Sequence, residues 1–173
     1  MGSVSTGSTT VDRAREVAAG VVDPELPMLT LADLGVLREV AVDDDGAVVV
    51  AITPTYSGCP AVATMRDDLV HALHEEGFAD VRVRVVLEPA WTTDWITPEG
   101  RAALAAAGIS PPGRAPGYDG PVALRLLPMR REVHCPRCGT DEVEIVSEFG
   151  STACKALYRC EACGEPFDHI KEL

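Results

Sequence analysis

Two cysteine pairs, Cys135-Pro136-Arg137-Cys138-Gly139 and Cys160-Glu161-Ala162-Cys163-Gly164, carry the strongest chemical signal in the chain. Two residues between thiols let each pair close a tight knuckle that points both sulfurs at one ion. The glycine after each second cysteine can take the left-handed backbone that such a knuckle needs. The 21 residues between the pairs suffice for a short hairpin that brings the knuckles together. The pattern is that of a zinc ribbon, with Cys135, Cys138, Cys160 and Cys163 around one structural zinc. A single Cys-x-x-Cys pair can be a redox dithiol, but two matched pairs favour a metal. A disulfide framework would leave Cys59 and Cys154 outside it. His134 and His169 flank the ribbon, yet four well-spaced thiolates leave them no vacancy. A closed zinc site folds a small module without naming a chemistry.

A second group of candidates lies in Thr53-Pro54-Thr55-Tyr56-Ser57-Gly58-Cys59-Pro60. Pro60 suits the first turn of a helix, which would put Cys59 at its N-cap, where free N–H groups and the helix dipole favour a thiolate. Cys59 is then either an activated thiol or a small apolar residue under the helix start. His71 and His74 fall at least 12 residues along the same helix, about 18 Å away, and read as members of a solvated face. A Cys-His dyad is therefore poorly supported, whereas a thiolate that holds a soft metal needs no base. Asp23 and Glu25 could supply oxygen ligands, although Asp before Pro is also an ordinary turn. Cys154 is either a buried small residue of the ribbon or a second functional thiol. Trp91 and Trp95 sit at helical spacing and suit packing anchors or an interface.

The elements that must position these residues follow from periodicity and punctuation. Val11 to Val21 fits a helix ended by Asp23-Pro24. Val36 to Val42 and Ala47 to Thr53 read as strands joined by the Asp43-Asp44-Asp45-Gly46 turn. Pro60 to about Glu76 is a second helix with Val62, Met65, Leu69, Ala72 and Leu73 on one face. Val81, Val83 and Val85 alternate with Arg82 and Arg84, a strand with one wet face. The expected fold class is α+β: a small mixed three-stranded sheet with helices on one face, followed by a C-terminal zinc ribbon. A short helix near Pro98 to Ala107 would close the first domain. Residues 1–10 read as a disordered tail, 11–110 as the α+β domain, 111–126 as a Pro/Gly-rich linker and 127–173 as the ribbon.

Composition narrows the partners. The chain of 173 residues has 15 Lys and Arg against 27 Asp and Glu, a formal net charge of −12. Four thiolates on one zinc add two more negative charges. Arg130 and Arg131 are adjacent but isolated, so nucleic acid is not an expected partner. No apolar run is long enough to span a bilayer, and free cysteines without a visible export signal suit a reducing cytoplasm.

Asp23-Pro24-Glu25, the turn at residues 53–60 and Glu88-Pro89-Ala90-Trp91-Thr92-Thr93-Asp94-Trp95 resemble the SufT-like family of iron-sulfur assembly domains. With the ribbon and its Phe149-Gly150-Ser151-Thr152-Ala153-Cys154-Lys155 stretch, the chain after the tail resembles the PaaD (also called PaaJ) family. The resemblance implies a non-catalytic accessory protein of the oxygenase that epoxidises the ring of phenylacetyl-CoA in aerobic phenylacetate degradation. It would mature or deliver a metal centre; the alternative is a structural or docking subunit. The implied partners are the oxygenase components, especially the iron-sulfur flavin reductase, and a homodimer stays open. The implied cofactors are structural zinc and a transient iron-sulfur cluster. By the resemblance Cys59 matches the reactive cysteine and Asp23 and Glu25 the acidic motif, with Cys154 a further metal-transfer candidate. Glu172 stands where some relatives carry a tail cysteine.

Overall fold

The computed structural model describes residues 6–115 and 132–172, whose elements form two compact units that divide between Trp91 and Thr92. Most of the expected linker, the first residues of the expected ribbon, and Arg130 and Arg131 lie outside the described residues. Residues 111–115 hold no helix or strand.

The first unit is built around one apolar strand. β2 (Val48–Ile52) is central, with β1 (Leu37–Val42) antiparallel on one side and β3 (Val81–Val85) parallel on the other. A strand paired on both edges and packed against helices needs an almost continuous apolar run, and Val48, Val50, Ala51 and Ile52 are all buried. The Asp43–Gly46 turn closes the hairpin: the Asp43 N–H donates to Ala47 O, and Gly46 takes a φ of 85°. α2 (Val62–Glu75) makes the crossover from β2 to β3, burying Met65, Leu69 and Leu73 at helical spacing. α1 (Thr6–Ala19) packs on β1, β2 and α2 through the small residues Ala14 and Ala18, which puts both helices on one face of the sheet. Arg82 and Arg84 on β3 reach Asp45, Asp80 and Glu39 in exposed ion pairs, the wet row expected of that strand.

Two boundaries differ from expectation. α1 starts at Thr6 rather than Val11, because the weak helix formers before Val11 include no proline and can extend a helix pinned downstream. α2 starts at Val62 rather than Pro60, with Ala61 as its N-cap.

The second unit opens with a 3₁₀ turn (Thr93–Trp95) and α3 (Pro98–Ala106), which has Thr97 Oγ1 accepting from the Gly100 N–H at 3.0 Å and proline at its first position. α3 thus belongs to the second unit and does not close the first. The reason is a pairing distant in sequence: the Ser110 N–H donates to Asp168 O at 2.8 Å and Ser110 O accepts from the Ile170 N–H at 3.1 Å, joining the residues after α3 to the last strand. That strand, β6 (Pro166–Ile170), pairs with β5 (Lys155–Cys160), which pairs with β4 (Val143–Ser147), all antiparallel. Among the described residues, no helix is long and apolar enough to cross a membrane.

Candidate metal centre

Each knuckle is built in the same way. The Cys135 N–H donates to Thr140 O at 2.9 Å and Cys135 O accepts from Gly139 N at 2.8 Å; Cys160 repeats this with Glu165 O at 2.9 Å and Gly164 N at 3.0 Å. Gly139 and Gly164 have φ of 76° and 77°, where a Cβ would strain the backbone. The β4–β5 hairpin separates the knuckles in sequence and brings them together in space. One thiol of each pair, Cys135 and Cys160, is buried with Val133, Ala156, Tyr158 and Phe167, while Cys138 and Cys163 face solvent.

The four Sγ atoms lie within 4.8 Å of one another, with Cys135 to Cys163 at 3.7 Å and Cys138 to Cys160 at 3.6 Å. A tetrahedral zinc with Zn–S bonds of about 2.3 Å sets its sulfurs roughly 3.8 Å apart, so the donor set fits that ion. None of the four is in a disulfide.

Packed this closely, the metal-free thiols divide their protons unevenly. The Cys163 N–H, donating to Cys160 Sγ at 3.4 Å, pulls the Cys160 pKa down to about 7 against burial. At Cys138 the Thr140 N–H acts in the same direction, but desolvation and the neighbouring thiols prevail and push it up to about 12. Cys163 is also raised: desolvation and hydrogen bonds with Cys160 and Cys135 outweigh the Glu165 N–H. Arg137 is held in its charged form by its bond to Glu165 and by the Cys163 sulfur beside it, placing a cation next to the cluster.

Cys59 lies two residues before the helix cap, in a turn whose Cys59 N–H donates to Tyr56 O at 3.2 Å and whose Cys59 O accepts from the Val62 N–H at 3.4 Å. It is half-buried at the mouth of α2 rather than capping it. His71 and His74 ride the exposed flank of α2. Asp23 is buried, and its Oδ1 accepts from the Glu25 and Leu26 N–H groups, both at 2.8 Å, so this oxygen shapes the turn after α1; Glu25 is only half-buried. Cys154 stands apart from the four-sulfur cluster, half-buried, with its Sγ 3.0 Å from Thr152 Oγ1. Trp91 is buried, its Nε1–H donating to Leu34 O at 3.0 Å; it lies outside any helix and Trp95 on the 3₁₀ turn, so the two do not share a helix face.

One constellation escaped the sequence reading. His169 on β6 is fully buried, with Nδ1 3.2 Å from Ser110 Oγ and Nε2 3.3 Å from Glu172 Oε1, which also accepts from the Gly113 N–H at 3.1 Å. Burial works to raise the Glu172 pKa, but the His169 hydrogen bond and the Gly113 N–H hold it below the usual carboxylate value. Ser110 and His169 are buried, so the array serves as a clasp between the residues after α3 and the chain's last strand. A lone serine before two prolines gave no sequence signal of this role.

Comparison with known proteins decides the family. Residues 12–87 match the iron-sulfur cluster assembly protein family, and residues 120–171 match the PaaD zinc beta ribbon domain. Over 151 residues the chain is 48% identical to an Escherichia coli (strain K12) protein named as one subunit of a "putative 1,2-phenylacetyl-CoA epoxidase", covering 87% of this chain and 86% of that one. The chain belongs to the PaaD family. The part it shares with the assembly proteins is 36% identical to the Fe-S protein maturation auxiliary factor SufT of Staphylococcus aureus (strain USA300), over 52% of this PaaD-family chain and 99% of the factor. A crystal structure of a domain of unknown function (DUF59) from Bacillus anthracis shares the fold, with a TM-score of 0.52 and 24% identity over 57% of this chain and 93% of that one. The four-cysteine centre of this PaaD-family chain thus coincides with the ribbon that the family model describes.

Proposed function

We propose that this protein is a non-catalytic accessory factor of a phenylacetyl-CoA ring-epoxidising oxygenase, one that helps mature or deliver an iron-sulfur or other metal centre. Cys135, Cys138, Cys160 and Cys163 hold a structural zinc that folds the ribbon, and Cys59 is the thiolate that handles the cargo. A cluster carried by Cys59 would exchange that sulfur for a cysteine of the recipient, the entering thiol's proton passing to the departing Cys59 thiolate, a ligand swap with no change of oxidation state. The observation that carries the reading is the half-exposed Cys59 at the mouth of α2, in the part of the chain shared with maturation factors. The backbone of Cys59 is tied into the turn that leads to α2, which fixes where the thiol is presented. Asp23 and Glu25 lie in the same shared region, and Asp23 supports it through the turn that its carboxylate organises. The iron-sulfur reductase is the partner this reading favours, in a reducing cytoplasm.

Anaerobic reconstitution tests it. The full chain is supplied with iron and sulfide, and cluster transfer to the apo reductase is followed by absorbance and by recovered reductase activity. Transfer by the native chain and none by Cys59→Ala is the expected result; equal oxygenase support from Cys59→Ala would sink it. A docking subunit is the second reading, favoured by the exposed apolar side chains of the ribbon. Trp91 is not available to it, being buried with its N–H satisfied.

A further inference from the structure

The edge of the ribbon exposes large apolar side chains. β4 is an edge strand, paired among the described residues only with β5. Ile145, Val146 and Phe149 are 45%, 56% and 68% exposed, three of the six large exposed hydrophobics found among the described residues. Ile145 stands opposite Tyr158 and Ser147 opposite Leu157, so Val146 is the extra residue of a bulge, a device that re-aims side chains at a sheet edge.

Phe149 is held in place rather than left on a loose loop. Lys171 Nζ sits 4.3 Å from its ring centroid, the Phe149 N–H donates to Ser147 Oγ at 3.2 Å, and Ser147 Oγ donates to Phe149 O at 2.8 Å. A Cβ on the next residue, Gly150, would lie 3.1 Å from both Asp168 Oδ1 and Lys155 Cβ, so the turn that presents the ring packs flush on its neighbours. Three large apolar side chains exposed within residues 145–149 make this edge a candidate contact surface.

We propose that Ile145, Val146 and Phe149 form a docking surface for a cationic, apolar segment of a partner polypeptide. Charge selects this occupant. Residues 141–149 hold Asp141, Glu142, Glu144 and Glu148 and no base, and all four acids are exposed, with Glu144 paired to Arg159 on β5 at 3.2 Å. Residues 132–172 hold nine acids against four Lys and Arg, a side-chain balance of −5, to which a zinc tetrathiolate adds −2. A second copy docking through this same face would bring the same carboxylates against these. A segment with aliphatic side chains on one row and Lys or Arg on the other covers the three apolar groups and meets the acids. The surface is separate from Cys59 chemistry, so either idea can fail while the other stands.

The test uses the full, zinc-loaded chain with isotope-labelled amides. The probe is a synthetic dodecapeptide of alternating valine and lysine, with a valine-glutamate peptide as control. Saturable shifts confined to residues 141–149 and Lys171 are expected, weakening at least about tenfold as salt rises from roughly 50 mM to roughly 0.5 M. Val146→Lys and Phe149→Ser, both at exposed side chains, should each weaken binding about tenfold while zinc content is kept. If Val146→Lys loses zinc, Phe149→Ser decides. Equal binding of the glutamate peptide, shifts centred elsewhere, or unchanged affinity in Phe149→Ser would overturn the proposal. So would sedimentation showing that the chain dimerises through this face.

Discussion

Zinc binding by the ribbon should strengthen steeply with pH, by at least about 100-fold per unit between pH 6 and 7. The magnitude follows from the metal-free cluster. Cys138, pushed up to about 12, and Cys163, raised above its ordinary 9.0, both carry protons throughout that window. Cys160, pulled down to about 7, is half-protonated at its upper end. A zinc that takes these sulfurs as thiolates must displace at least two protons, plus the fraction on Cys160, and each displaced proton contributes a factor of about ten per pH unit. The sign is fixed by the bound state: it is deprotonated, so rising pH favours metal and falling pH releases it. Competition of the full chain against a chromophoric chelator, corrected for the chelator's own protonation, measures the slope. Proton release into weak buffer on adding zinc at pH 7 measures it independently. Fewer than two protons released, or a slope below two, would show that the thiols do not share protons in this way. The structural consequence can be read in the same sample. The apolar cluster beside the metal centre consists of Val133, Ala156, Tyr158 and Phe167 around two of the ligands themselves, with Val143 at its edge, so its packing depends on where the metal holds those two cysteines. Removing zinc should therefore expose the β5 amides to exchange while leaving the β2 amides of the first unit protected.

Further expectations follow from single residues. Asp23→Ala removes two 2.8 Å hydrogen bonds from a buried turn and should cost the first unit about 1–2 kcal/mol in chemical denaturation. Gly139→Ala forces a Cβ onto a φ of 76° and should cost about 1–2 kcal/mol and weaken zinc, while Ala in place of Gly113, with ordinary φ, serves as the control. Glu172 has a lowered pKa, so the stability it gives is present above the ordinary 4.5 and is lost as pH falls through the lower folded value. Glu172→Gln should remove that part of the acid transition in the second unit and loosen Ser110 and Gly113 in amide exchange. Cys59 should react with an alkylating reagent faster than Cys154 at neutral pH in the folded chain, and equal rates would argue against its activation.

How much of this was legible beforehand depended on how local each cause was. The knuckles were readable because their chemistry is local: a two-residue spacer fixes the sulfur separation and a glycine fixes the backbone that follows. The β1–β2 hairpin and the amphipathic α2 were readable for the same reason, since Gly46 sets the turn and Met65, Leu69 and Leu73 set the buried face. What sequence could not place was decided by contacts across long separations. α3 looked like the end of the first domain because it follows it in sequence, but Ser110 joins β6, 59 residues from its partner His169, and the helix goes with that pairing. Pro60 satisfies the rule for a first helical position, but the tight turn from Tyr56 to Val62 delays the start of α2 and moves Cys59 off the cap. In the sequence Glu172 stands out only as an acid where some relatives carry a cysteine, whereas its use lies in the buried His169 it meets. In each case the residue type was noticed or ordinary, and its role came from a partner that spacing alone does not reveal. The register shift between Ile145 and Ser147 has the same origin, since the alternation of the chain does not show that Val146 is left without a partner opposite it on β5.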